Sequence, residues 1–491
     1  MNFKKIVLAV ATTLAAGQAF AAVPTGPVTA SDINDAKTAS TPYLQETWLS
    51  GASAPTANMY AAFKAGCDAG TMAIYTSRTK NALPGDLGDY SAYACVRGGN
   101  TVHVLYHTVA GGSFNAYTPH ITGSAPDGSA LPTKLLRVKY IPSNTCGNNG
   151  TNAAGDKIYW NCQTTQPGVS VADTAPVIPD IGVSDVEAAL WGYDVAAAGE
   201  EKNLGITQGF GIAVTTNLYR ALQAAQGISI AADAAYNPAN APNITSAQYA
   251  AIVKDGGNYQ SSWELLMGSS YSNKNVHLQR RVASSGTQAS SNTFFLGVNC
   301  LNGANGGSVN PAGVNRKTAT FRVVEQSSSS TLKTDLENLN QVTAAGSTAA
   351  GSVATERTVS GVAQNFGIGV LSLENIPAAS SPKWLFVKLD GVHPEADQEA
   401  AGLGKARSGI MNGDYKFAME MKSFIPAASS GTPAEALWDE MVESILAPAD
   451  CTTVSRGLAL TADSGSTCGV GVSKAKGTKI GNNCSKVELW Y

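Results

Sequence analysis

The 491-residue sequence predicts an α/β protein with largely parallel sheets. Three observations carry that reading. Runs of β-branched and aromatic residues alternate with segments whose apolar residues fall at helical spacing. The turns between them are built from Gly, Ser, Thr and Ala. The chain is 44% apolar, enough for a large core, yet only 14% charged, against roughly 25% in an average soluble domain. A net charge of −3 with no basic block excludes nucleic-acid binding and attachment to anionic membranes as main functions.

Residues 1–21 read as a secretory signal peptide. Lys4 and Lys5 form a positive start, residues 6–16 an apolar run, and Ala19-Phe20-Ala21 a small-x-small cleavage pattern. The apolar run is shorter than the ~20 residues needed to span a bilayer. No Cys lies near the cut, so no lipid anchor and no membrane insertion is expected. The mature chain is expected to be periplasmic or secreted.

Residues 22–44 are rich in Pro, Thr and Ala and read as an extended lead-in. Thr47-Trp48-Leu49 is strand-like and runs into Ser50-Gly51-Ala52-Ser53-Ala54. Met59, Tyr60 and Phe63 then fall on one helical face, with Pro55 acceptable in the first turn. Residues 101–108 form a β-rich run ending at Ala110-Gly111-Gly112-Ser113. Residues 121–175, rich in Gly, Asn, Asp and Thr, read as a loop-rich insertion stapled by one disulfide. Residues 178–182 give a short strand. Ser184-Asp185-Val186-Glu187 then has the pattern of a capping box opening a helix through Ala188, Leu190 and Trp191.

A second series follows. Residues 210–215 predict a strand, 246–254 a helix with Tyr249, Ile252 and Val253 on one face, and 276–282 a strand. That strand runs into Ala283-Ser284-Ser285-Gly286-Thr287 and a helix carrying Phe294, Phe295 and Leu296. Residues 367–373 and 384–389 predict further strands. Residues 326–332 and 343–353 read as low-complexity loops.

The eight cysteines form no CxxC pair, and an even count in an exported chain favours disulfides. Neighbour pairing gives Cys67–Cys95, Cys146–Cys162 and Cys468–Cys484. Cys300 and Cys451 are then either one long-range bridge or two thiols. His103 and His107 share a strand face about 13 Å apart, too far for one metal. Asp390, His393 and Glu395 read as a surface turn. No catalytic motif, metal or cofactor site is expected.

Four strand-to-helix turns, at 51–54, 111–113, 183–185 and 284–287, share small and hydroxyl residues. Such turns place backbone N–H groups at helix N-termini, where an anion is favoured. They sit at the carboxyl ends of strands, where α/β sheets collect ligands.

In order and content these turns resemble the phosphate-binding proteins of bacterial ABC uptake systems, which are type 2 periplasmic binding proteins. Arg281-Val282-Ala283-Ser284-Ser285-Gly286-Thr287 is similar to their Arg…Ser-Gly-Thr phosphate loop. Gly182-Val183-Ser184-Asp185 is similar to their Gly-x-Ser-Asp turn, and residues 50–55 to a shortened form of their first loop. The resemblance spans roughly residues 45–425. It implies a two-lobed α/β fold with a hinge: lobe 1 at 45–210, lobe 2 at 211–404, and a return to lobe 1 with a C-terminal extension at 405–491. It implies capture of phosphate or a related oxyanion, and an inner-membrane ABC permease as partner. By the same resemblance Arg281 would clamp the oxyanion. Ser285 and Thr287 would donate hydroxyls and Gly286 its N–H. Ser53, Ala54, Gly112 and Ser113 would donate from the first two turns, and Asp185 would accept a proton from the anion. The sequence departs from the pattern between Arg281 and Ser285, where no acidic residue orients the arginine. A surface structural or interaction protein that keeps this fold is the competing expectation.

Overall fold

The computed structural model of the chain describes residues 23–78, 87–125, 128–138, 146–152, 154–162, 176–229, 236–254, 263–271, 276–297, 321–341, 358–359, 362–363, 366–395, 405–448, 450–451 and 454–489. The signal-peptide reading and Cys300 lie outside these residues. So does the low-complexity stretch at 343–353.

The fold is mixed α/β around one 14-stranded sheet. Its first strands and helices are α1 (Ala30–Thr38), β1 (Leu44–Gly51), α2 (Thr56–Ala65), β2 (Ala73–Thr76), β3 (Tyr90–Arg97) and β4 (Thr101–Thr108). Then come β5 (Cys146–Thr151), β6 (Lys157–Cys162), β7 (Ile181–Ser184), β8 (Gly199–Thr215) and α3 (Thr216–Ala225). The second series is α4 (Ser246–Val253), β9 (Val276–Arg281), α5 (Gly286–Leu296), β10 (Phe321–Gln326), α6 (Ser329–Gln341), β11 (Gly367–Ser372) and β12 (Trp384–Phe386). Last are β13 (Ala418–Pro426), α7 (Pro433–Leu446) and β14 (Leu458–Leu460).

The long strand β8 organises the sheet. Its first part pairs antiparallel with β13, from Gly199↔Pro426 to Gly209↔Ala418. Its second part pairs antiparallel with β11, from Phe210↔Ser372 to Val214↔Ile368. Two parallel sets flank this axis. On one side β1 lies between β4 and β7; on the other β9 lies between β10 and β11. The sheet is therefore mixed rather than largely parallel. Each half has its own core. Phe210, Leu278, Leu336, Ile368 and Trp384 anchor one cluster. Leu49, Phe63, Ile206, Trp438 and Leu458 anchor another. Burial of such apolar surface is the main favourable term in folding.

Several expectations change. The 22–44 lead-in contains α1, because Thr29 and Asp32 cap each other's backbone and Ile33 and Ala36 turn inward. Part of the 121–175 insertion is a hairpin, β5 with β6, whose second strand, β6, pairs parallel with β2 and leaves β5 at the sheet edge. Tyr159 stacks on Tyr75 there, with ring centroids 4.7 Å apart. Residues 326–332 are not a loop: Gln326 ends β10 and Ser329 opens α6, whose Leu332, Leu336 and Leu339 fall at helical spacing and are buried. The helix expected after Ser184 is only a 3₁₀ turn at Ala188–Trp191. Glu187 does not cap it; its carboxylate accepts from the backbone N–H of Asn483 at 2.9 Å and from the Asn483 side chain.

The bridges Cys67–Cys95 and Cys146–Cys162 form as expected. Cys468 pairs with Cys451, not with Cys484. Both partners pack against the core cluster beside α7, whereas Cys484 sits in an exposed turn. Cys484 is also disulfide-bonded.

Candidate binding site

The parallel strands bring three turns together at their carboxyl ends. After β4, Gly111 and Gly112 take φ values of +78° and +81°, a region glycine enters at no steric cost. This lets the backbone fold onto the turn after β9. A Cβ on Gly112 would lie 2.8 Å from the Cα of Ser285. The Phe114 N–H donates to the Ser284 carbonyl at 3.0 Å, and Ser284 Oγ donates to the Gly111 carbonyl at 2.6 Å. From the 3₁₀ turn after β7, Trp191 Nε1 donates to the Ala283 carbonyl at 3.0 Å.

Asp185 follows β7 directly and enters this junction. It is 4% exposed. Ser113 Oγ donates to its Oδ2 at 3.0 Å, while its buried Oδ1 has no hydrogen-bond partner among the described residues. Burial pushes its pKa up to about 6, against the Ser113 hydrogen bond and the Arg281 charge, which pull it down. Gly286 presses on the same group: a Cβ there would come 2.5 Å from Asp185 Oδ2 and would also strike Ser113 Oγ.

Gly286 opens α5, which like α2 and α7 starts without a side-chain cap, unlike α3 and α4. Thr215 and Thr245 cap α3 and α4 with their hydroxyls. Ser285, at the corresponding position of α5, makes no capping hydrogen bond. The first-turn N–H groups of a helix need an outside partner. Here they lack a side-chain cap and face a buried carboxylate, which accepts hydrogen bonds but donates one only when protonated.

Arg281 ends β9 and is buried. Its Nε donates to the Gln326 carbonyl at 3.3 Å, Nη1 to Ser329 Oγ at 2.8 Å and Nη2 to the Ser327 carbonyl at 3.2 Å. The 326–329 segment thus does the orienting for which the sequence offered no acidic residue. Among the described residues three of the five guanidinium N–H donors find partners, which leaves two. Burial lowers its pKa to about 10, opposed by Asp185, Glu374 and Asp89. Thr287 lies beside it, and the two help line a space of about 10 Å³, the room of roughly one water.

Asp185, Ser113, Gly112, Ser285 and Gly286 therefore meet directly, with Arg281 and Thr287 alongside. Ser53 and Ala54 lie in the turn after β1, which the strand pairing of β1 with β7 sets beside the Asp185 turn. The Ala52 N–H donates to the Val183 carbonyl at 2.7 Å, and the Ser53 carbonyl accepts from the Thr56 N–H at 3.1 Å.

Two features were missed in the sequence. Glu374 stands just past the apolar strand β11, and a lone carboxylate in that position was a readable signal. The stretch around His393 is a buried network, not a surface turn. His393 Nε2 lies 3.0 Å from both Tyr236 Oη and the Phe386 carbonyl. Glu395, wholly buried, is held by Tyr236 and Arg456. The Glu395 N–H donates to His393 Nδ1 at 3.0 Å. Asp390 alone is exposed, and its Oδ1 accepts from the Ser246 N–H at 2.8 Å. Among the described residues no group of three His, Cys, Asp or Glu could hold a metal ion, and no helix is long and apolar enough to cross a membrane.

No family model and no curated relative matches the chain. Among solved structures it is similar to a candidate phosphate ABC transporter substrate-binding protein with bound phosphate from Clostridium perfringens. That likeness has 12% identity and a TM-score of 0.36, and covers 81% of this chain and 93% of the other. It is similar also to an ABC-type phosphate transport receptor from Vibrio cholerae, at 14% identity and a TM-score of 0.29, over 58% of this chain and 82% of the other. A possible phosphate binding protein from Planctomyces limnophilus matches at 12% identity and a TM-score of 0.28, over 60% and 78%.

Proposed function

We propose that this chain is an exported solute-binding protein that captures a protonated oxyanion, inorganic phosphate or its analogue arsenate, without covalent chemistry. One observation carries the reading: the buried, unpartnered Oδ1 of Asp185 beside the uncapped N-terminus of α5. Backbone N–H groups and Arg281 attract an anion. A carboxylate repels one unless the anion brings a proton to share. Phosphate carries such a proton at neutral pH and sulfate does not. In this reading Ser113, Ser285 and Thr287 donate hydroxyls, and Gly286 and Gly112 donate N–H groups. Ser53 and Ala54 complete the ring, and the remaining guanidinium donors of Arg281 clamp the anion.

The two halves about β8 act as two lobes, 45–210 with 405–491 and 211–404. Binding parts the Gly112–Ser113 turn from Ser285–Gly286, because their present contact leaves no room for a four-oxygen anion. Delivery to an inner-membrane ABC permease is the role that the sequence resemblance implies. Titration calorimetry with phosphate and with sulfate tests the reading. Phosphate should bind one to one and sulfate should not; no phosphate binding at millimolar concentration would sink it.

A second reading draws on Val470, Val472, Ile480, Val487 and Leu489, large apolar side chains exposed in the C-terminal segment. Exposed apolar patches mark contact surfaces, which fits a surface structural or interaction protein that keeps the fold. Self-association on a sizing column with no phosphate bound would favour it.

A further inference from the structure

Glu374 is built like Asp185. It stands two residues past β11, as Asp185 stands directly after β7. β11 runs parallel to β9, with His277 opposite Gly367 and Gln279 opposite Gly369. The end of β11 and Arg281 therefore share one sheet edge. One carboxylate oxygen of Glu374 is fixed by a nearby serine: Ser372 Oγ donates to Oε1 at 2.7 Å. The other, Oε2, is buried and has no hydrogen-bond partner among the described residues. In Asp185 the serine is Ser113 and the bare oxygen is Oδ1. Buried polar atoms are nearly always paired, so each exception asks for a cause. Two exceptions of one design flanking one arginine ask for a shared cause.

We infer that Glu374 is a second proton-sharing carboxyl group of this site, so that the anion is captured together with a proton from solvent. The inference rests on the phosphate reading above. Asp185 accepts the hydrogen bond that the anion donates. Glu374 Oε2 takes a proton from solvent and donates it as a hydrogen bond to another anion oxygen. No covalent bond forms or breaks apart from that O–H.

The charges around Glu374 fit this division. Asp185 faces it from the end of β7 and Lys333 from α6. Arg281 faces it from β9 and Arg456 from the segment before β14. Burial, with a smaller push from Asp185, raises its pKa to about 7; Ser372 and Lys333 pull the other way. Two carboxylates beside one anion do not both stay ionised at neutral pH. Asp185, whose ionised form the Arg281 charge favours, is the one that stays charged.

The test is phosphate calorimetry on the full chain between pH 6.5 and 8.5, in pairs of buffers with different heats of ionisation. Wild type should take up more protons per phosphate than Glu374→Gln, by about half a proton near pH 7 and close to one at pH 8.5. Its affinity should fall more steeply with pH, by up to about tenfold per unit for one linked proton. Glutamine still donates a hydrogen bond, so Glu374→Gln should bind within about tenfold of wild type at pH 6.5 and show a flatter profile. Equal proton uptake and equal slopes would overturn the role of Glu374 and leave the phosphate reading standing. No binding by wild type would overturn both. Difference infrared spectra of wild type need no variant. Addition of phosphate should produce a protonated-carboxyl band, and its absence would contradict the inference.

Discussion

Two buried carboxylates in this molecule have opposite surroundings. Glu395 is wholly buried, and both its oxygens are taken, one by Tyr236 and one by Arg456. Asp185 is nearly as buried, but only one of its oxygens has a partner. Burial of a charge is costly unless it is paired, so the first arrangement holds the fold together. The second weakens the ligand-free fold and keeps a hydrogen-bonding position for something else. On the proposed reading, what separates the structural carboxylate from the ligand-binding one is the unclaimed oxygen rather than depth.

Breaking the paired site should have the largest effect on stability. Arg456→Met leaves Glu395 without its cation and should cost about 3–5 kcal/mol, read by denaturant unfolding. The unpaired site should respond in the opposite sense. Asp185→Asn should weaken phosphate binding by at least ~2 kcal/mol, without loss of stability. Its pH dependence has a definite sign. Asp185 titrates near 6 in the fold, against 3.8 for an ordinary aspartate, so the folded chain holds a proton that the unfolded chain has released. Its contribution to stability is full below about pH 4 and is lost as pH rises through about 6. Ligand-free wild type should lose stability across that window, and Asp185→Asn should lose less.

Gly286→Ala places a methyl group 2.5 Å from Asp185 Oδ2. Overpacking of this kind costs about 1–3 kcal/mol, measurable by thermal unfolding, and should also weaken phosphate binding. The smallest effect compares two helix starts. Thr245→Ala removes a working cap from α4 and should cost about 1 kcal/mol. Ser285→Ala removes no cap from α5 and should change stability by less than about 0.5 kcal/mol. Its effect should appear in phosphate affinity instead.

Local pattern made much of this visible before the structure. Residues 101–108 read as a strand and are β4. Tyr249, Ile252 and Val253 read as one helical face and are buried together on α4. The small-residue turns signalled close backbone approach, because glycine and serine permit it, and Gly112 and Gly286 show it. What escaped depended on contacts far apart in the chain. Glu187 looked like a helix cap, but Asn483 claims it. Glu395 looked exposed, but residues 159 and 61 positions away bury its charge. Cys468 had two neighbours within reach, and packing beside α7 decided for Cys451.

The central claim is that the bare oxygen of Asp185 is a ligand position. The most direct measurement is a crystal structure of the full chain grown with phosphate. An anion oxygen should lie within about 2.5–3.0 Å of Asp185 Oδ1, with the first-turn N–H groups of α5 on the same anion. Phosphate bound elsewhere, or Asp185 Oδ1 still without a partner in phosphate-saturated crystals, would contradict it.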